Sequence, residues 1–196
     1  MKNEMNIMIV GVGGQGTLLA SKLIGNVITA GGLDVKVSEV HGMSQRGGSV
    51  VTFVKYGKSV ASPVIEEGEA DIILAFERLE AARWLSYLKM GGKLIVNDQR
   101  LDPMPVITGA MSYPDDIIEK IKALSSDVIT IDALSLATKA GSSKAVNVVL
   151  MGVLSTLLHF DNDLWIKSID ENVPERFRNI NKTAFEYGKK SVEENL

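Results

Sequence analysis

The sequence contains no cysteine, and only two histidines, His41 and His159, occur among its 196 residues. The absence of cysteine excludes disulfide bonds, a thiolate nucleophile and any iron–sulfur cluster held by cysteine ligands of this chain. Two histidines are too few for a histidine-rich metal site. If the protein takes part in redox chemistry, we therefore expect the redox centre to belong to a bound cofactor or to another chain.

Strong net charge and long apolar runs are also missing. The formal net charge of −3 at pH 7 provides no general attraction to nucleic acid or to an anionic membrane. No apolar stretch reaches the roughly 18 residues that span a bilayer, and residues 1–11 lack the features of a signal peptide. We therefore expect a cytoplasmic protein with no nucleic-acid partner and no membrane partner.

Apolar runs and helical spacing alternate along the chain. They predict strands at residues 6–12, 33–40, 49–57, 70–76, 93–98 and 127–132, and helices at residues 15–31, 77–90, 114–125, 133–140, 145–160, 163–171 and 179–194. Residues 58–65 are predicted as a hairpin partner of the strand at 49–57. The alternation indicates an α/β fold with three layers and a mostly parallel sheet. We expect one domain over residues 1–196, with the hairpin as an insertion.

A glycine-rich loop, GVGGQG, follows the first predicted strand. It places Gly11, Gly13 and Gly16 in the G-x-G-x-x-G spacing between a strand and a helix, a Rossmann-like arrangement. There, glycines allow a tight turn and a close approach of the backbone to a pyrophosphate at the helix start. Glu39, at the end of the second strand, could bind a ribose hydroxyl. The alternative is that the glycines only pack the first helix tightly against the sheet.

A second unusual loop, HGMSQRGGSV at residues 41–50, makes the dinucleotide interpretation weaker. The turn at Gly14 and Gln15 is also more open and more polar than such a fingerprint requires. In doubly wound folds the carboxyl ends of the first two strands lie side by side, so both loops should face one crevice. This crevice is predicted to be lined by Gly11, Gly13, Gly14, Gln15, Gly16, His41, Ser44, Gln45, Arg46 and Gly47. Such a surface suits an anionic or carbonyl-bearing ligand, or the backbone of a partner.

The residues of the second loop also have structural interpretations. His41 could hydrogen-bond a loop carbonyl group, and Arg46 could form an ion pair with Glu39. Gly47 and Gly48 could serve only a bulge at the start of the next strand. The sequence alone leaves these alternatives open.

Four segments, in order, resemble one known family. They are GVGGQGTLLASKLIG (11–25), EVHGMSQRGGSV (39–50), NVVLMGVLS (147–155) and VPERFRNINKTAFEYG (173–188). Together they resemble the gamma-type domain of the 2-oxoacid:ferredoxin oxidoreductases over nearly the whole chain. The second loop is more similar to that of the indolepyruvate members, in which this domain is the beta subunit, than to that of the pyruvate and 2-oxoglutarate members.

The resemblance implies a subunit of a larger enzyme, which is inactive when isolated. This family converts a 2-oxoacid and coenzyme A to an acyl-CoA and carbon dioxide, and it passes two electrons to ferredoxin. The resemblance places thiamine diphosphate, magnesium and the 4Fe–4S clusters on a companion alpha subunit. In agreement, this chain has no cysteine and no GDG motif followed by an asparagine. The resemblance implies no catalytic residue and no metal ligand here, and the two loops would line a cleft shared with the companion.

Other classes of function remain open from the sequence. The chain could be a free-standing Rossmann-type dinucleotide-dependent oxidoreductase, the gamma subunit of a pyruvate or 2-oxoglutarate relative, or an interaction protein with a non-functional glycine loop. A subunit should expose an apolar patch where its companion docks. We expect this patch at Met43 and on the helix that carries Val148, Met151 and Leu154.

Overall fold

The computed structural model describes residues 4–41, 47–124 and 127–193, without the side chains of residues 41 and 193. The strands are β1 (Met5–Val12), β2 (Asp34–His41), β3 (Ser49–Gly57), β4 (Ala70–Ala75), β5 (Leu88–Asn97) and β6 (Val128–Ile131). The α-helices are α1 (Thr17–Ala30), α2 (Arg78–Arg83), α3 (Met104–Ile107), α4 (Ile117–Leu124), α5 (Ala133–Lys139), α6 (Val146–Ser155), α7 (Asn162–Asn172) and α8 (Glu175–Glu193). None of the helices in these ranges combines the length and the apolar character needed to cross a membrane.

The six strands form one sheet in the order β2-β3-β1-β4-β5-β6. Strands β1, β4, β5 and β6 pair in parallel, whereas β3 runs antiparallel to both of its neighbours, β1 and β2. The predicted α/β fold with a mostly parallel sheet is therefore confirmed. The chain leaves β1 through α1 toward one edge and leaves β4 through α2 toward the other, so the topology switches between β1 and β4.

Side chains of the central strands alternate between two buried clusters, as a sheet covered on both faces requires. In β1, Ile7 and Ile9 face a cluster with α1 and α5–α8, while Met8 and Val10 face a smaller cluster with α2 and α4. Strand β4 alternates in the same way. These two clusters are the interfaces between the three predicted layers.

Strand β3, which was predicted to form a hairpin with residues 58–65, pairs with other strands. Residues 58–65 are irregular rather than a strand, and β3 instead pairs residue by residue with both β1 and β2. The expectation that β1 and β2 lie side by side is therefore wrong, because β3 separates them. Since neighbouring strands are about 4.8 Å apart, their ends are about 10 Å apart.

Two predicted helices are shorter than their patterns suggested. The helix expected over residues 77–90 ends at Arg83, and residues 88–92 belong to β5, so the glycine pair there lies within a strand. The helix expected over 145–160 is α6, which ends at Ser155. In contrast, α8 begins four residues before its predicted start at 179, and the short α3 was not predicted.

Helices α6 and α8 pack against each other at two glycines. A Cβ atom at Gly152 would overlap the carbonyl oxygen of Phe185, and one at Gly188 would overlap that of Val149. Val148, Met151 and Leu154 on α6 are fully buried in the larger of the two clusters. The expectation that they form an exposed docking patch is therefore wrong.

Candidate functional site

The carboxyl ends of the parallel strands bring the polar loops together at one edge of the sheet. In open α/β sheets, ligands bind outside this edge at the point where the topology switches. Here the switch lies between β1 and β4, whose last residues are Val12 and Ala75. The glycine loop follows β1 directly, so it lies at this position.

The start of α1 presents backbone N–H groups without a capping side chain. Gly16 precedes the helix in a left-handed conformation with φ 82°, and no side chain among the described residues caps this terminus. The first turn also contains no acidic residue. An uncapped helix start carries a partial positive charge, and it is therefore suited to an anion.

Asn147, at the start of α6, holds the cap residue in place. Its Nδ2 donates a hydrogen bond of 3.3 Å to the carbonyl oxygen of Gly16, and a Cβ at position 16 would come within 2.6 Å of that nitrogen. Gly14 has φ 102° but faces open space. Gly16 is therefore required by both backbone conformation and packing, whereas Gly14 is required by conformation alone.

A cleft of about 400 Å³ opens beside this helix start. Its walls are Gly13, Gly14, Gly16, Thr17, Leu18, Glu39 and Val50. Thr52 donates a long hydrogen bond of 3.4 Å to the Glu39 carboxylate. The cleft therefore combines an uncapped helix start with one carboxylate and with the exposed apolar side chain of Leu18.

Backbone hydrogen bonds join the glycine loop to the last residues before β3. The N–H of Gly13 donates to the carbonyl of Gly48 at 2.8 Å, and the N–H of Gly47 donates to the carbonyl of Gly13 at 3.4 Å. These bonds continue the ladder between β1 and β3 past its last residue pair. The predicted residues Ser44, Gln45 and Arg46, together with Met43 and the side chain of His41, lie outside the described residues.

The side chain of Gln15 crosses the sheet edge rather than facing the cleft. Its Oε1 accepts from the N–H of Val12 at 2.8 Å, and its Nε2 donates to the carbonyl of Phe76 at 3.0 Å and to Oε1 of Gln99 at 3.3 Å. Gly11 packs beneath it, because a Cβ there would lie 2.9 Å from Gln15 Oε1. The amide thus ties the glycine loop to the ends of β4 and β5, and contact with a ligand stays a prediction.

The sequence patterns did not predict two further polar residues at this edge. Asn97 is only 1% exposed, and its Oδ1 accepts from the N–H of Ala133 at 3.1 Å. Glu80 is also buried, and it contacts the hydroxyl of Ser49. It therefore fixes the first residue of β3, directly after the second loop. Asn97 ends a strand and Glu80 lies five residues beyond one. A polar residue next to an apolar run is therefore the signal that could have found Asn97.

The buried carboxylate of Glu77 organises the segment that follows β4. It accepts hydrogen bonds from the N–H groups of Leu79, Glu80 and Leu101 at 2.6, 3.0 and 3.2 Å. The Tyr113 hydroxyl donates to it at 2.5 Å. Burial raises the pKa of Tyr113 above its ordinary value, and the bond to Glu77 is the second-largest cause of this increase. Within the described ranges, no three His, Asp or Glu side chains come together as metal ligands.

Three comparisons place the chain among known proteins. A family described as pyruvate ferredoxin/flavodoxin oxidoreductase matches residues 6–191. Indolepyruvate oxidoreductase subunit IorB of Thermococcus kodakarensis is 41% identical over 198 residues, covering 98% of both chains. The same subunit of Pyrococcus horikoshii is 40% identical over 202 residues, with the same coverage.

Solved structures share the fold. The gamma subunit of a keto/oxoacid ferredoxin oxidoreductase from Geobacter sulfurreducens superposes with a TM-score of 0.73 at 21% identity, covering 97% of this chain and 99% of that one. A 2-oxoglutarate:ferredoxin oxidoreductase from Magnetococcus marinus gives 0.74 at 19% identity, where this chain covers 32% of a longer polypeptide. The two curated relatives and the Geobacter sulfurreducens protein are named as subunits of oxidoreductases, which implies a partner subunit for this chain. The chain belongs to the pyruvate ferredoxin/flavodoxin oxidoreductase family, as a subunit of a 2-oxoacid:ferredoxin oxidoreductase.

Proposed function

We propose that this chain is the small subunit of an indolepyruvate-type enzyme, which oxidatively decarboxylates an aryl 2-oxoacid with coenzyme A and reduces ferredoxin. The observation that carries the proposal is the 41% identity to an indolepyruvate oxidoreductase subunit along 98% of both chains. The relatives whose names include ketoisovalerate are 25%, 24% and 21% identical. We further propose that residues 1–196 act as one domain, since a single sheet joins both buried clusters.

The cofactors are proposed to reside on the companion alpha subunit. Thiamine diphosphate with magnesium supplies the decarboxylation chemistry, and 4Fe–4S clusters carry the electrons to ferredoxin. Because this chain has no cysteine, it provides no thiolate ligand for a cluster. The chain's own contribution is to bind and orient the substrates, and we assign it no catalytic residue.

The cleft at the start of α1 is proposed as this chain's wall of the shared active site. The uncapped helix terminus suits an anionic group, such as the 2-oxoacid carboxylate or a phosphate of coenzyme A. The backbone bonds from Gly13 to Gly47 and to Gly48 hold these two glycines of the second loop beside the same cleft. We propose that His41, Ser44, Gln45 and Arg46 of this loop complete the contacts with substrate or companion.

Co-expression of this chain with a companion alpha subunit tests the proposal. The purified complex should reduce ferredoxin with indolepyruvate and coenzyme A, more efficiently than with pyruvate or 2-oxoglutarate. The chain alone should be inactive in the same assay. Preference for pyruvate or 2-oxoglutarate would assign the chain to the other branches of the family. Micromolar binding of NAD or NADP to the chain alone, measured by calorimetry, would favour a dinucleotide-dependent enzyme instead.

A further inference from the structure

Three carboxamide side chains form a continuous network across the topological switch point. Gln15 follows β1, Asn97 ends β5, and Gln99 stands two residues beyond that strand. The Nε2 of Gln15 and the Nδ2 of Asn97 both donate to the carbonyl of Phe76, just after β4, at 3.0 and 3.1 Å. The same two nitrogens also donate to Oε1 of Gln99, at 3.3 and 3.1 Å.

Backbone groups at both ends of the network fix the orientation of every amide in it. The N–H of Val12 donates to the side-chain oxygen of Gln15, and the N–H of Ala133 donates to that of Asn97. A backbone N–H can only donate, so the atoms it meets must be the amide oxygens. The remaining nitrogens of Gln15 and Asn97 are donors, and the atom of Gln99 that they share must therefore be its oxygen.

The NH₂ group of Gln99 is therefore the outward end of the network. Gln99 is half-buried, in contrast to Asn97, and in the part of the chain that the structure describes its Nε2 has no hydrogen-bond acceptor. The charged groups beside it are already paired. Arg78 bonds Asp98 at 2.6 Å, and Arg100 bonds Asp102 at 2.6 Å. Gln99 is thus an oriented neutral donor at the sheet edge where ligands of such folds bind.

We propose that the Gln99 amide donates a hydrogen bond to an oxygen atom of a small-molecule substrate, either the carbonyl or carboxylate oxygen of the 2-oxoacid or an acyl or phosphate oxygen of coenzyme A. This assignment rests on the function proposed above, and Gln99 is a binding residue within it. A surface glutamine is normally free to rotate, and ordering it costs entropy. Here two buried or half-buried amides have already ordered the donor, which is the arrangement that favours ligand binding.

The substitution Gln99→Glu separates binding from structure. A carboxylate at this position still accepts from Gln15 and Asn97, so the network is kept, but it offers no N–H to a substrate. We expect the assembled variant complex to melt at the wild-type temperature. Its KM for one of the two substrates should rise at least about ten- to a hundredfold, because loss of the hydrogen bond accounts for that much and the new carboxylate also repels an anionic substrate. Calorimetric titration of the complex with coenzyme A adds a readout that is independent of turnover.

Two further variants control for the scaffold. Gln99→Met removes both the acceptor and the donors with little change in length, so it should raise the same KM and also lower the melting temperature. Asn97→Asp retains the acceptor for Ala133 but loses both donated bonds, while the Gln99 donor remains. It should therefore lower the melting temperature of the complex, while KM stays close to its wild-type value.

The outcomes distinguish this proposal from the proposed function. A wild-type complex that oxidises no 2-oxoacid defeats the proposed function and this assignment with it. If the wild-type complex is active, an assembled Gln99→Glu variant with unchanged KM values overturns the assignment alone. Weakened assembly of that variant, with normal kinetics in the complex that remains, would make Gln99 a contact of the companion subunit and would also overturn it.

Discussion

At the scale of single residues, two glycines of the first loop differ in what a side chain at their position would meet. Gly16 combines a left-handed backbone with direct contact to the Asn147 amide, which also donates to its carbonyl oxygen. Gly14, two residues earlier, has the same sign of φ but faces open space. Substitutions at Gly14 and Gly16 therefore measure separately how much backbone strain and steric overlap destabilise the protein.

Gly16→Ala should lower the free energy of unfolding by about 2–4 kcal/mol, because strain in the left-handed region adds to overlap with Asn147. Gly14→Ala should cost only about 1–2 kcal/mol, from the strain alone. Urea denaturation of the two variants measures both values. Equal losses would show that the contact with Asn147 is not a stabilising constraint.

Tyr113 should make the protein sensitive to alkaline pH. Its pKa is raised first by burial and then by its bond to Glu77, so the folded state retains the phenolic proton above the ordinary pKa of 10.0. The resulting stability is fully present below about pH 10 and is lost as pH rises toward the folded pKa. In Tyr113→Phe, the free energy of unfolding should be lower at pH 8 but should fall less steeply above pH 10. Urea titrations at both pH values check this, and parallel pH profiles would contradict it.

At the scale of elements, local patterns predicted the strands but not their order. The apolar runs at 6–12 and 70–76 are strands because each fills both faces of a covered sheet, a property visible in the sequence. The neighbours of β3 are decided by contacts far apart in sequence, and its alternating pattern fits any partner. The amide network at Asn97 and Gln99 was missed for the same reason, since its members meet only in three dimensions. The glycine loop was predicted because its spacing is local.

The contact between α6 and α8 provides a second prediction of stability. Gly152→Ala should lower the free energy of unfolding by about 3 kcal/mol or more, because the new methyl group overlaps the Phe185 carbonyl oxygen, a backbone atom that cannot rotate away. Gly25→Ala in α1 is the matched control. A Cβ there meets nothing within 4 Å, so alanine should stabilise the protein by up to about 1 kcal/mol through helix propensity. Calorimetric melting compares the two, and a stable Gly152→Ala variant would refute the close packing.

At the scale of the whole molecule, the exposed apolar side chains identify where the companion subunit should dock. Met104 and Ile107 on α3 are 68% and 67% exposed, and they follow β5 at the carboxyl edge of the sheet. Met90 and Leu124 are also exposed but lie toward the opposite edge, where β5 and β6 begin. Single exposed apolar residues are common on protein surfaces, so α3 is chosen because it lies at the carboxyl edge of the sheet and exposes two apolar side chains on one short helix.

Met104→Asp with Ile107→Asp should weaken assembly with the companion by at least tenfold, because charges would be buried in the interface. Met90→Asp with Leu124→Asp should leave assembly unchanged. Analytical ultracentrifugation of the mixed subunits measures both dissociation constants, and melting of each free chain controls for folding. Equal effects at the two edges would place the interface elsewhere.

The position of β3 has a consequence for how this subunit can diversify. His41 is paired with Val50 in the ladder between β2 and β3, and Gly47 and Gly48 are bonded to Gly13. The residues on either side of 42–46 are therefore anchored at neighbouring points of the sheet, by backbone pairing that does not depend on the sequence of that segment. We therefore expect chimeras that carry the residues of other family members at positions 42–46 to keep the host fold and to acquire the donor's substrate preference.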